Sequence, residues 1–285
     1  MISRDRSAGW QHAKVSGHRN EELLANSLAG GEAGAELSRV LGLDCSGMSV
    51  DGGGLGEKRF ASVIGSSPTP SKTDLKVHWD EPGFTTRISL KKSAEGQAFM
   101  IGADRFLAGF EGQFSCEIPT SVQRALRLYL GYASDSEARL ASVPAVSTRI
   151  RAQEEHHGHR MVWETLARHD AGMAEDLLQW IRDNLADIVR FTFARGLVTA
   201  DSEWADLLVY SNWVDPDVEE ALTVFDIEDL AVAAASRPEL VFPGPRNGGS
   251  TILLPFGSLQ WHQNEAQLRH KLDKILNLLP PVGTH

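Results

Sequence analysis

The chain is poor in cysteine: Cys45 and Cys116 are its only two among 285 residues, too few for a disulfide framework or a thiolate zinc cluster. That usage fits a reducing compartment. No apolar run approaches the ~20 residues that cross a bilayer, because Arg, Asp or Pro interrupts each candidate within a few positions, so no membrane association is expected. The stretch Met1 to Trp10 carries no apolar centre of signal-peptide length and no small-residue cleavage pattern, and a cytoplasmic location is expected. Positive charge is also scarce. Lys and Arg total 28 against 38 Asp and Glu, a net charge of −10, which excludes a general nucleic-acid coat and requires any nucleic-acid surface to be local. With 42% hydrophobic, 23% charged and 7% aromatic residues the composition is that of an ordinary globular protein, not of a fibre or a disordered tail.

What is present is a run of elements of alternating type with no internal repeat. In His18 to Leu28, positions Glu21, Leu24, Ala25 and Leu28 share one helical face, which predicts a short amphipathic helix. Residues 30–56 are Gly-rich and read mostly as loop, with a short helix near Ala35 to Leu41. After the turn chemistry of Ser66 to Lys72, the alternation of Leu75, Val77 and Trp79 predicts a strand. Glu81-Pro-Gly predicts a tight turn, and Ile88 and Leu90 mark a second strand that should pair antiparallel with the first. Long helical periods follow over Arg151 to His169 and Ala174 to Arg195, the latter ending at Gly196. Strands are expected at Leu207 to Tyr210, Thr223 to Ile227 and Thr251 to Phe256, and a terminal helix over Glu265 to Leu279.

The chemistry-bearing block is Lys72-Thr73-Asp74 followed by Arg87-Ile88-Ser89-Leu90-Lys91. It sets an acid at the start of one strand and a lysine on the next. Ser89 and Lys91 are two apart and project from one face, with Ile88 and Leu90 on the other, so parity selects Lys91 over Lys92 as the inward lysine.

These residues resemble the PD-(D/E)xK nuclease superfamily, the core shared by type II restriction endonucleases and several repair and recombination nucleases, over roughly residues 16–100. The resemblance implies an α/β fold with a restriction-endonuclease-like core: a mixed central β-sheet flanked by helices, plus a helical insertion. On this reading 1–285 is a single nuclease domain, with a core of about 16–130 and 197–285 and the insertion at about 145–196. It further implies catalytic roles for Asp74, Ser89, Lys91 and the helical Glu21, and Mg²⁺ held by Asp74, Glu21 and the Leu90 carbonyl. Ser89 departs from the pattern, because an acid is usual there, and the change places more weight on Glu21. Phosphodiester hydrolysis needs a water activated beside an anion. A divalent cation neutralises the phosphate and acidifies water, and Lys91 orients that water or stabilises developing charge.

Gln97, soon after the lysine, and Gln260 and His262 in a second resembling segment, Asn247 to His262, are candidate DNA contacts. A core Trp261 with a hydrogen-bonded His262 is the competing reading there. The cluster Glu154-Glu-His-His-Gly-His159 lacks the i, i+4 spacing of a helical zinc pair, and Gly52 to Lys58 lacks the features of a phosphate loop. The expected activity is that of a type II site-specific deoxyribonuclease, hydrolysing double-stranded DNA with Mg²⁺ as a homodimer. Its alternatives are a structure-specific repair or recombination nuclease and an inactive DNA-binding module of the same fold.

Overall fold

Alternation builds the central hairpin. Leu75, Val77 and Trp79 of β2 (Leu75–Trp79) are buried while Lys76 and His78 between them are part-exposed. β3 (Phe84–Lys91) returns antiparallel, with Leu75 opposite Ile88 and Val77 opposite Thr86. The turn between them contains a cis Glu81–Pro82 bond and a left-handed Gly83. The buried Trp79 indole N–H donates to Thr86 Oγ1 at 2.9 Å across the pair, so burying the ring strands no donor. The computed structural model that shows this describes residues 18–29, 31–44, 47–52, 58–212, 222–263 and 265–283.

The hairpin is the middle of a five-stranded sheet. β1 (Met48–Gly52) pairs antiparallel with β2; β5 (Leu207–Tyr210) lies parallel to β3, and β6 (Thr223–Asp226) is antiparallel to β5. The order is β1-β2-β3-β5-β6, so the expected mixed α/β sheet flanked by helices is present. A parallel β3–β5 pair requires a long crossover, and the chain between them supplies β4 (Glu95–Gly102) and seven helices. These are α3 (Ala103–Phe114), α4 (Thr120–Leu130), α5 (Ser136–Ser142), α6 (Thr148–His156), α7 (Trp163–His169), α8 (Ala171–Asp183) and α9 (Leu185–Val189). One face of the sheet, carrying Val77, Ile88, Leu90 and Val209, packs on Leu24 and Leu28 of α1 (18–28) and Leu37 of α2 (Glu32–Leu41). The opposite face, carrying Leu208, Tyr210 and Phe225, joins a larger core with the crossover helices.

That core is closed by a second, fully antiparallel sheet of order β4-β10-β9-β8-β7, where β7 is Phe242–Pro243, β8 Thr251–Leu254, β9 Gly257–His262 and β10 Glu265–Lys271. Here the structure corrects the expected terminal helix: Glu265 to Lys271 is a strand, and helix is confined to Leu272–Leu276. Leu268, Leu272 and Ile275 satisfy a helical period, but Ala266, Leu268 and His270 equally satisfy a period of two, and pairing with β9 and β4 on both sides decides for the strand. The two long helical segments are also each divided. Gly158 and His159, both at positive φ, separate α6 from α7, and Asn184 separates α8 from α9, after which Arg190–Arg195 winds as a π-helical turn stopped at Gly196. Met48 to Gly52, read as loop, is an edge strand; residues 53–57 of the same Gly-rich run lie outside the described residues. Among the described residues no helix is long and apolar enough to cross a membrane.

Gly257 marks the closest approach within the second sheet. A Cβ there would stand 1.8 Å from the Arg269 carbonyl oxygen and 3.0 Å from His270 Cα, both backbone atoms of the neighbouring strand. Gly257→Ala is therefore expected to cost at least about 3 kcal/mol, at the upper end of overpacking penalties. A denaturant midpoint equal to that of the unaltered protein would contradict this reading.

Candidate active site

Local hydrogen bonds fasten Asp74 to β3. Thr73 Oγ1 and Ser71 Oγ both donate to the Glu203 carbonyl, at 2.9 and 2.6 Å, which anchors the segment leading into β2. The Asp74 N–H donates to the Ile88 carbonyl at 2.7 Å, and the Asp74 carboxylate accepts the Leu90 N–H at 2.6 Å. Lys91, at the end of β3, donates its Nζ to Ser89 Oγ at 2.9 Å and to the Leu90 carbonyl at 3.1 Å. The acid, the carbonyl, the serine and the lysine named from the sequence thus meet where β2 begins and β3 ends.

Glu21 approaches from α1. Its neighbour Asn20 is buried and donates Nδ2 to the Ser211 carbonyl at 3.0 Å, while the Ser211 N–H donates to the Lys91 carbonyl at 3.1 Å, so α1 is tied to the end of β5 beside Lys91. The Glu21 carboxylate is 18% exposed, lies 3.3 Å from His18 Nδ1, and its charge acts on both Asp74 and Lys91; Glu22 is exposed.

Three further residues lie beside these groups: Lys72, which the sequence placed in the same block without a role, and Tyr210 and His270, which sequence reasoning missed. Lys72 donates Nζ to the Ala98 carbonyl at 3.2 Å and lies 3.3 Å from the Phe99 ring centroid. Tyr210 stands opposite Lys91 in the β3–β5 register, and its hydroxyl is 2.8 Å from Nδ1 of the buried His270 on β10, a bond that joins the two sheets behind the lysine. Lys72 carried a signal, since it precedes Asp74 by two and shares its parity. His270 carried none, because its partner is 60 residues away on another sheet.

Burial dominates the electrostatics. Asp74, Lys72 and Lys91 each keep part of their surface, yet their charged groups are packed round by protein. Burial pushes Asp74 up from 3.8 to about 6, against the pull of Lys91, and the Glu21 charge pushes it the same way. Burial lowers Lys91, with Asp74 and Glu21 opposing, and lowers Lys72 far below the lysine range, helped by Lys91. His270 is held at about 3, first by burial and then by Lys91 and Arg269, so it is neutral at physiological pH. Asp74, held at the Leu90 N–H, Glu21, whose charge acts on it, and the Leu90 carbonyl that Lys91 meets are hard oxygen donors of the type Mg²⁺ takes, which asks for one or two carboxylates. Among the described residues no three His, Cys, Asp or Glu side chains converge, and His156, His157 and His159 form no such group.

The raised Asp74 value has a thermodynamic consequence. A carboxyl group with a folded pKa above its unfolded one contributes stability that is complete below the unfolded value and lost as pH rises through the folded value, here between 3.8 and about 6. In EDTA, the stability of the unaltered protein relative to Asp74→Asn is expected to fall by on the order of 3 kcal/mol across that window. Parallel denaturation series at pH 4 and pH 7 measure it, and a constant difference would show that Asp74 is not strained by burial.

The candidate DNA contacts lie on the second sheet, Gln97 on β4 and Gln260 and His262 on β9, with Gln97 and His262 exposed. Several basic side chains that could have met phosphates are engaged within the protein. Arg124 pairs with Asp135, Arg127 with Asp104 and Lys271 with Glu95, and Lys274 donates to the Leu254 and Gly257 carbonyls.

Fold and site together define a mixed α/β protein with an acid–lysine centre at the junction of two sheets. No protein-family model and no curated protein matches the chain. Among solved structures, it is similar to the crystal structure of restriction endonuclease MspI in complex with its cognate DNA. That likeness has 14% sequence identity, spans 83% of this chain and 76% of that one, and has a TM-score of 0.44.

Proposed function

We propose that this chain is a Mg²⁺-dependent endonuclease of the cytoplasm that hydrolyses phosphodiester bonds of double-stranded DNA, acting at specific sequences in the manner of a type II restriction endonuclease. The observation that carries the reading is the fastening of the Asp74 carboxylate to the Leu90 N–H, with Lys91 directed at the carbonyl of that same residue and at Ser89. Asp74, Glu21 and the Leu90 carbonyl would hold the cation. When bound, Mg²⁺ supplies neutralisation of the phosphate and a more acidic water.

The chain's own residues do the rest. Asp74 is positioned by its bond to the Leu90 N–H and does not need to reorganise to meet positive charge. Lys91 presents an ammonium whose donors already lie on Ser89 and the Leu90 carbonyl, from where it can orient a water or stabilise charge developing on the phosphoryl oxygens. Ser89, buried, sets the rotamer of that lysine. Cutting both strands at one site calls for two such centres, and the chain is proposed to act as a homodimer on palindromic DNA.

The test is incubation of the full chain with unmethylated plasmid and phage DNA, in Mg²⁺ or EDTA. Discrete fragments that need Mg²⁺ support a sequence-specific enzyme; cutting confined to branched substrates replaces it with a structure-specific nuclease. Folded protein that cuts none of these in Mg²⁺ leaves a DNA-binding module.

A further inference from the structure

An amide ladder crosses the second sheet. Gln260 on β9 donates Nε2 to Gln267 Oε1 on β10, and Gln267 donates its own Nε2 to Gln97 Oε1 on β4 at 3.1 Å. Gln267 is only 9% exposed, so its amide is held from both sides in one orientation. Gln97, at the end of the ladder, is exposed and retains its Nε2 donors for a partner.

Arg269 stands directly opposite Gln97 in the β10–β4 register. Among the described residues its guanidinium has no hydrogen bond or ion pair, whereas the neighbouring Lys271 is taken up by Glu95 at 2.9 Å. A fixed amide and a guanidinium that makes no hydrogen bond among the described residues, although its charge acts on Glu95 and His270, therefore lie opposite one another on β4 and β10. Gln97 is adjacent to Ala98, whose carbonyl holds Lys72, two residues before Asp74.

We infer that Gln97 and Arg269 are a base-reading pair that determines which duplex sequence is brought to Asp74 and Lys91; the inference rests on the nuclease reading above. A primary amide matches adenine by donating to N7 and accepting from the N6 amino group, and a guanidinium matches guanine by donating to O6 and N7. The pair thus fits two purines in the major groove, and Gln267 acts as a positioning residue that holds the Gln97 amide ready.

The experiment is cleavage of a library of duplexes with randomised positions by the full-length protein and by Gln97→Ala, Arg269→Met and Gln267→Leu, each read by sequencing of the cut ends. The expected result is a purine requirement at two positions. Gln97→Ala and Gln267→Leu relax one by about ten- to hundredfold and Arg269→Met relaxes the other, while Mg²⁺-dependent cutting of accepted sites persists. Preferences that do not change in the variants overturn the inference, as does an unaltered protein that cuts all sequences equally. A uniform loss over all sequences with a shallower salt dependence also overturns it, since that marks phosphate contacts. If the unaltered protein cuts nothing, the nuclease reading fails separately, and the inference is decided by duplexes retained from a random pool. An enriched motif altered by Gln97→Ala supports it, and no enriched motif overturns it.

Discussion

Asp74→Asn is expected to reduce Mg²⁺-dependent cleavage of duplex DNA about a hundred- to thousandfold, the scale on which removal of one preorganised electrostatic group acts. The substitution is nearly isosteric, and its amide oxygen can still accept the Leu90 N–H that the carboxylate accepts at 2.6 Å. The hairpin therefore keeps its geometry while the anion held at the Leu90 N–H is lost. Because burial holds the Asp74 carboxyl at about 6, this variant should be no less stable than the unaltered protein in EDTA at pH 7. Loss of cutting with retained stability separates a functional carboxylate from a structural one. Cutting within tenfold of the unaltered rate would remove Asp74 from the centre.

Lys91→Met is expected to lower the cleavage rate by about a hundred- to ten-thousandfold while leaving duplex affinity within a few fold, the range of a positioned group acting on the proton or charge of the reacting atoms. Methionine preserves most of the aliphatic stem and removes the ammonium that donates to Ser89 and Leu90. A second effect separates this variant from a generally damaged protein. Lys91 is the strongest influence holding the Asp74 value down against burial, so without it the Asp74 carboxyl should titrate above about 6. The acid limb of any residual activity should move upward with it. A variant whose rate falls with no movement of that limb would place Lys91 away from Asp74.

The central hairpin was legible because its information is local. Leu75, Val77 and Trp79 alternate over five residues, Glu81-Pro-Gly closes the turn, and the same parity that buries Ile88 and Leu90 sets Ser89 and Lys91 together on the other face. Glu21 was legible for a similar reason, since it shares a helical face with Leu24 and Leu28, and burial of those leucines against the sheet brings that face inward.

Other residues carry information that is not local. Leu268, Leu272 and Ile275 support a helix as well as Ala266, Leu268 and His270 support a strand. Only the presence of β4 and β9 on either side of β10 breaks the tie. With β10 read as a helix, His270 could not be placed against Tyr210, Gln267 could not be seen to link Gln260 to Gln97, and Arg269 could not be set opposite Gln97.

By itself, then, the sequence determined the elements whose pattern is complete within one turn or one hairpin: the acid, serine and lysine of β2 and β3, the amphipathic α1, and the alternation of strands with helices. The tertiary structure alone decided which distant strands became neighbours, and with them the Tyr210–His270 bond behind the lysine, the placement of Lys72 against β4, and the glutamine ladder. The physical reason is that side-chain parity follows from backbone geometry residue by residue. Register between strands far apart in the chain is instead settled by the packing of the whole core, where every backbone donor and acceptor must find a partner at once.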